Sequence, residues 1–478
     1  MGQLLESMFR VLRFNQDATC CAVSPASGTL AIYNCDPFGM CYEYDSRANN
    51  DSTESNEQHS SQNTSGRRGS ARGYDDPYFQ DSQNTQTPPA RVPLAKRMSL
   101  TSNAYTSANI DPSSDRFIAE MLFSTSLIAI SDKSQGPEVG RRLKIVNIKK
   151  KSVICELLFP AEIIQVVMNR KRMCILLGND QIHIYDVSCM KSMKVIDIWQ
   201  GYKGENINLS RLSSHSSSED VSQTSMITGT RRGSVKAGIF PKIALTHDDR
   251  SILCYSSYSA SKSKPGTYIL RDIVIYDALN VKPINYLNMV HKGNISSLAI
   301  NEGGKLIATA SERGTIIRVF KTGIDTDFDS ANPLQYEMRR GTRPCNIYQL
   351  VFNHNSTLLG CVGDTDTIHI FKLTTSGSET MRDLKIDDGE LPTSPVIGSA
   401  RQFASYFSTR IKASLPNQNL RRDFVHIDVN SSGRYVLGFP EEYPNVVYIA
   451  DDSGSFSIYT LPSSSGECVL TKTSHFNV

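Results

Sequence analysis

The chain has 478 residues, a formal net charge of only +3, and a hydrophobic share of 39%. So small a charge excludes polyanion binding along a whole face, as nucleic-acid proteins use it, and leaves any basic site to local clustering. The low apolar share predicts substantial disordered segments beside a folded core.

Short strands dominate in chain order. A pattern ending in β-branched and aromatic residues recurs at Leu30-Ala31-Ile32-Tyr33, Leu143-Lys144-Ile145-Val146, Ile182-His183-Ile184-Tyr185 and Ile273-Val274-Ile275-Tyr276. It continues at Ile317-Arg318-Val319-Phe320, Ile368-His369-Ile370-Phe371 and Phe456-Ser457-Ile458-Tyr459, giving seven instances. Turn residues and a second apolar strand precede several of them, as in Gly304-Lys305-Leu306-Ile307-Ala308-Thr309-Ala310. Even spacing with few helical patterns is the signature of a repeat architecture. The expected fold is all-β, a single seven-bladed β-propeller over residues 8–478, with the strand near Val11-Leu12-Arg13-Phe14 completing the last blade.

Three insertions interrupt the repeat. Residues 45–115 and 203–238 are rich in Ser, Asn, Gln and Arg and read as disordered. Residues 374–421 differ, because Phe403, Tyr406, Phe407 and Ile411 share a helical face flanked by Arg401, Arg410 and Lys412. Such a segment suits an anionic membrane interface or a loop packed on the propeller, and composition fits both.

Arg339-Arg340-Gly341 lies between two repeats and carries the chemistry. Guanidinium groups stay charged and bind phosphate bidentately, and neighbours in an extended segment point to opposite faces. Two anion pockets sharing one motif are therefore expected. The same tripeptide at Arg67-Arg68-Gly69 and Arg231-Arg232-Gly233 lies in low-complexity sequence before Ser70 and Ser234, so context carries the argument.

Enzyme signatures are lacking: there is no Walker-type loop, no Gly-x-Ser-x-Gly elbow and no His-Glu-x-x-His. The 11 cysteines form no CxxC pair and no zinc spacing, and Cys20 and Cys21 fit strand alternation. The expectation is a non-enzymatic protein with no metal and no cofactor. Glu6 occupies the Ser/Thr position of a myristoylation signal, and no apolar run spans a bilayer. A cytoplasmic chain with reduced thiols and peripheral membrane contact follows.

The run from His291-Lys292-Gly293 through Ile316-Ile317-Arg318-Val319-Phe320 and the arginine pair to Thr367-Ile368-His369-Ile370-Phe371 resembles the PROPPIN family of phosphoinositide-binding propellers. Phe14-Asn15-Gln16-Asp17 and Tyr33-Asn34-Cys35-Asp36-Pro37 resemble its first blade, and Asn417-Gln418-Asn419-Leu420 and Gly466-Glu467-Cys468-Val469-Leu470-Thr471-Lys472 resemble one fungal subgroup. Met338 stands where that family usually has Phe or Leu, an apolar exchange.

The resemblance implies recognition of phosphatidylinositol 3-phosphate and 3,5-bisphosphate on endosomal, vacuolar and preautophagosomal membranes. It implies recruitment of the machinery that attaches a ubiquitin-like autophagy modifier to lipid, and no nucleic-acid partner. A first lipid pocket would use His291, Ser311, Thr315, Arg318 and Arg339, and a second Arg340, Thr365, Thr367, His369 and Lys372. Mild acidity would strengthen both histidines as phosphate partners. Arg170, with Lys171 and Arg172, would meet an acidic stretch of the coiled-coil subunit of the conjugation complex.

By pattern alone, Thr315 and Thr367 are good strand residues, Ser311 a turn residue, and Arg318 and His369 the polar face of a half-buried strand. Arg170 is then an ordinary basic turn, and the whole chain a protein-binding scaffold without lipid function. Asp364 and Asp366, beside the second pocket, are expected to point away or to pair with Lys372 or Arg340.

Overall fold

The computed structural model describes residues 9–25, 27–44, 116–133, 139–199, 239–261, 267–324, 333–373, 423–430 and 433–477. These form seven antiparallel meanders. Blade 1 holds β1 (Phe9–Phe14), β2 (Cys20–Pro25), β3 (Leu30–Cys35) and β4 (Phe38–Tyr44). Blade 2 holds β5 (Phe117–Met121), β6 (Leu127–Asp132), β7 (Arg142–Asn147) and β8 (Ser152–Leu158). Blade 3 holds β9 (Ile163–Met168), β10 (Arg172–Leu177), β11 (Gln181–Asp186) and β12 (Ser192–Asp197).

Blade 4 follows with β13 (Ile243–Leu245), β14 (Ile252–Ala260), β15 (Tyr268–Asp277) and β16 (Lys282–Leu287). Blade 5 holds β17 (Ile295–Ile300), β18 (Leu306–Ser311), β19 (Ile316–Lys321) and β20 (Leu334–Arg339). Blade 6 holds β21 (Ile347–Phe352), β22 (Leu358–Gly363), β23 (Thr367–Lys372) and β24 (Val425–Asp428). Blade 7 holds β25 (Tyr435–Gly438), β26 (Val446–Asp451), β27 (Ser455–Thr460) and β29 (Val469–His475), while β28 (Gly466–Glu467) pairs parallel with β24. The segment Gly466-Glu467 thus covers the outer edge of blade 6.

All seven sequence repeats are third strands: β3, β7, β11, β15, β19, β23 and β27. Their alternation is a consequence of position, since each blade face packs on a neighbouring blade. The described core is a set of seven apolar clusters, one at each seam between consecutive blades. Inner strands such as β10 and β22 are buried along their whole length, whereas the outer strands β12 and β29 are largely exposed.

Ring closure differs from expectation. β1 does not complete the last blade; it is the inner strand of blade 1 and pairs with β2. Blade 7 supplies all of its own strands, and Phe9, Phe14, Tyr33, Tyr448, Phe456 and Phe476 close the ring as an aromatic seam. Burial of several aromatic rings holds the two ends without an exchanged strand.

The three insertions lie outside the described residues. Residues 45–115 join β4 to β5, 203–238 fall between β12 and β13, and 374–421 join β23 to β24. Phe403, Tyr406, Phe407 and Ile411 are therefore also outside the described residues.

Candidate anion-binding site

Blade 5 ends at Arg339, and the link to blade 6 starts with Arg340 and Gly341. The Arg340 and Gly341 N–H groups both donate to the Thr315 carbonyl, at 3.0 and 3.4 Å, folding the link over the β18–β19 turn. Gly314 in that turn has φ +60°, and a Cβ there would overlap the Cys345 carbonyl oxygen. Only glycine meets both demands without strain. Its carbonyl accepts from Arg340 Nε at 3.0 Å, and the Arg340 guanidinium also donates to the Arg343 carbonyl.

Directly opposed residues of an antiparallel pair share a face. Arg339 stands opposite Ile316, and Arg318 opposite both Glu337 and Thr309, so these side chains share one face of blade 5. Met338 alternates to the other face and is buried in the seam with blade 6. Arg340 acts on that seam too, as the positive charge opposing the burial that raises the Cys345 and Cys361 thiols. The paired arginines thus serve opposite sides of blade 5.

On the blade 4 side, His291 is 5% exposed and sits among Arg318 and Thr309. The Thr309 hydroxyl donates to the Arg318 carbonyl at 3.3 Å, and His291 Nε2 lies 2.9 Å from the same hydroxyl oxygen. Arg318 Nη1 donates to the Val290 carbonyl at 2.9 Å and approaches His291 Nδ1 at 3.4 Å. The tautomer that satisfies every contact carries its proton on Nε2 and accepts on Nδ1. Burial first, and then the Arg318 charge, push the His291 pKa down to about 3. The expected gain of charge on His291 in mild acid is therefore reversed: the ring stays neutral.

Arg318 Nε and Nη2 both donate to Glu337 Oε1, at 2.9 and 2.7 Å. Arg339 is exposed and makes no hydrogen bond or ion pair among the described residues. Ser311 ends β18 and Thr315 precedes β19, so both border the turn that faces Arg339.

Blade 6 repeats the arrangement with different chemistry. His369 stands opposite Cys361 and His426 in its strand pairs. Its Nδ1 lies 2.9 Å from Asp423 Oδ2, a hydrogen bond that pulls the Asp423 carboxyl below its ordinary range. Thr365 lies in the β22–β23 turn against Cys345, within the same seam as Arg340. Thr367 opens β23 and stands opposite Asp428.

Lys372 closes the same strand, roughly 16 Å from Thr367 at the usual strand rise, and its ammonium sits 5.3 Å from the Phe424 ring. Lys372 thus lies at the other end of β23 from Thr365 and Thr367. Asp364 accepts the Asn346 N–H at 2.8 Å and Asp366 the Thr367 hydroxyl at 3.3 Å, so both serve the turn and neither pairs with Lys372 or Arg340.

The PROPPIN family model matches residues 246–477. Autophagy-related protein 21 of Saccharomyces cerevisiae S288c is 45% identical over 506 residues, covering 98% of this chain and 100% of its own length. The chain belongs to the PROPPIN family. Autophagy-related protein 21 of Candida glabrata is likewise 45% identical over 506 residues, with 98% and 100% covered, so this PROPPIN falls in that group. Among solved structures, the complex of KlAtg21 with the coiled-coil of AgAtg16 matches at TM-score 0.62 and 33% identity, over 98% of this chain and 100% of that one. Kluyvelomyces marxianus Hsv2 matches at TM-score 0.54 and 13% identity, over 98% of each chain, which shows the shared fold.

The basic turn of this PROPPIN divides into two roles. Arg170 and Lys171 are exposed, and the Arg170 guanidinium lies 3.9 Å from the Phe123 ring centroid. Arg172 is 6% exposed, and its donors reach the Ala278 and Leu279 carbonyls and Asp186 Oδ2 at 3.0, 3.1 and 2.6 Å. Arg172 therefore ties blade 3 to blade 4 and does not present its charge outward. Buried Asn169 shapes the turn by accepting the Lys171 and Arg172 N–H groups at 2.9 and 2.8 Å.

Sequence reasoning missed Thr309, Glu337 and Asp423. Glu337 carried a signal, because it lies two residues before Arg339 and so on the same strand face. Asp423 carried none, since residues 374–421 separate it from His369 in the chain.

Proposed function

We propose that this PROPPIN is a peripheral membrane adaptor that holds phosphatidylinositol 3-phosphate or 3,5-bisphosphate in two pockets on either side of blade 5. The observation that carries the reading is the division of the arginine pair: Arg339 shares a face of blade 5 with Arg318, which approaches His291, and Arg340 acts on Cys361, which stands opposite His369. The first pocket comprises His291, Ser311, Thr315, Arg318 and Arg339, and the second Arg340, Thr365, Thr367 and His369. Arginine forks supply charge-assisted bonds, and hydroxyls supply short neutral donors. One exposed ion pair is worth only ~0–1 kcal/mol. Two pockets on one membrane make the second contact intramolecular, raising avidity by roughly 10² to 10⁴.

Residues 8–478 form a single propeller in this reading, and the 374–421 insertion adds apolar contact with the bilayer. Arg170 and Lys171 meet an acidic coiled coil, supported by the coiled-coil complex of the KlAtg21 relative. The adaptor acts without catalysis in autophagy and cytoplasm-to-vacuole targeting, bringing the conjugation machinery of a ubiquitin-like modifier to endosomal, vacuolar and preautophagosomal membranes. Flotation with phosphoinositide liposomes tests the core of it. A folded Arg339→Thr, Arg340→Thr double variant is expected to lose binding, and undiminished flotation would refute the two-pocket mechanism.

A further inference from the structure

Asp272 is buried to 3% exposure in β15, one blade behind the first anion pocket. A carboxylate at such depth costs free energy unless hydrogen bonds satisfy it. Two donors do so, from β16 and from the link that carries His291. The Met289 N–H donates to Asp272 Oδ1 at 2.6 Å, and the Tyr286 hydroxyl to Oδ2 at 2.9 Å. Burial pushes this carboxyl up, and those two hydrogen bonds pull it back.

The bonds matter because the link leaves its sheet abruptly. The β15–β16 ladder ends at the pair Ile273–Leu287, and Met289 then takes φ +49°. That left-handed backbone is strained for a residue with a side chain. The Met289 side chain is 48% exposed, so packing contributes little to holding it. On β15 a bulge leaves Arg271 as the extra residue between the pairs Ser257–Asp272 and Tyr258–Leu270. Bulges re-aim neighbouring groups. Here the Arg271 carbonyl takes the Val290 N–H at 2.9 Å, next to the Asp272 bond to Met289. Two successive N–H groups of the link are thus fixed by two successive residues of β15.

What they fix is the first pocket. The Val290 carbonyl accepts from Arg318 Nη1 at 2.9 Å. The His291 ring lies 3.4 Å from the same nitrogen and 2.9 Å from the Thr309 hydroxyl. Both groups follow Met289 directly in the chain, so a change in its backbone moves both. We infer that Asp272 is the positioning residue of the first anion pocket: by clamping the left-handed turn at Met289, it sets the Val290 carbonyl and the His291 ring against Arg318. The ligand in this inference rests on the two-pocket reading, whereas the geometry does not. Without the clamp, Met289 relaxes toward right-handed backbone, the Val290 carbonyl rotates off Arg318, and the His291 ring is freed. The second pocket, across blade 5, does not depend on it.

Two readouts test this in the full-length protein. In the first, inositol 1,3-bisphosphate is titrated into Arg340→Thr protein, which keeps the first pocket, and into Arg339→Thr protein, which keeps the second. Adding Asp272→Ala should weaken the first roughly fivefold to tenfold, in line with one lost hydrogen bond, and leave the second unchanged. Asp272→Asn retains an oxygen for the Met289 N–H and should restore binding to within about twofold. Equal weakening in both backgrounds, or none in either, would overturn the inference.

The second readout needs no ligand. Spectra of 15N-histidine-labelled protein, with His291 assigned through His291→Gln, report the tautomer of the ring. Wild type and Asp272→Asn should show one fixed neutral tautomer, and Asp272→Ala an average of two. An unchanged His291 spectrum in Asp272→Ala would overturn the inference. Absence of phosphate binding in every protein would refute the two-pocket reading and leave the spectra to decide the role of Asp272. Should Asp272→Ala not fold, Tyr286→Phe removes only a hydroxyl from an exposed ring. It should loosen the same His291 signals to a lesser degree, and no change there would equally overturn the inference.

Discussion

Acid should weaken the seam between blades 4 and 5 through His291, and the size of the effect follows from its surroundings. The folded protein keeps this ring neutral down to about pH 3, because burial and Arg318 disfavour the imidazolium. In the unfolded chain the same ring titrates near ~6.5. Its folded pKa is depressed, so its contribution is complete above ~6.5 and is lost as the pH falls toward the folded value. Each pH unit in that window costs about 1.4 kcal/mol, so acidification from pH 7 to pH 5 removes roughly 2 kcal/mol. His247, lowered by burial to about 4, contributes in the same direction. Comparison of the wild type with His291→Gln isolates the first group. Urea unfolding at pH 7 and pH 5 is the assay, with glutamine retaining a donor toward Thr309. The variant should lose about 2 kcal/mol less than the wild type over this interval. Equal losses in both proteins would refute the neutral, buried assignment.

Four further outcomes follow from the contacts described. Glu337→Gln removes the carboxylate that occupies two Arg318 donors, so titration with soluble inositol 1,3-bisphosphate should show binding tightened about two- to fivefold, in line with ~0.5–1 kcal/mol for a half-exposed pair; weaker binding would show that Glu337 organises the pocket and does not compete with phosphate. Gly314→Ala forces a side chain into a left-handed turn against the Cys345 carbonyl, and thermal unfolding should register a loss of about 1–3 kcal/mol together with reduced liposome flotation. Arg172→Ala should destabilise the protein by about 3 kcal/mol in urea melts by stranding Asp186 and two carbonyls, while Arg170→Glu should leave stability unchanged and abolish pull-down by an acidic coiled-coil peptide.

The strand repeat was the most legible feature because it comes from burial on two faces. Third strands lie between the blade centre and its rim, so their apolar residues must alternate toward two neighbouring blades. The arginine link was legible for a related reason: neighbours in an extended chain diverge, and the glycine turn beneath them enforces the divergence. Closure of the ring was not legible. Phe9 and Phe476 meet across almost the whole chain, and an apolar seam leaves the same local pattern as an exchanged strand. The three residues of Arg170-Lys171-Arg172 look alike in sequence, yet Asn169 bends the turn so that the third enters a seam and the first two do not.

Local alternation and residue chemistry by themselves determined seven repeats and an arginine pair whose side chains diverge. Tertiary packing alone decided how those groups are charged and occupied. Glu337 arrives from the neighbouring strand to hold Arg318, and Asp423 arrives from beyond a long insertion to hold His369. Protonation depends on burial and on charges brought close in space. His291 is thus a neutral strut, although its sequence neighbourhood suggested a pH-responsive cation.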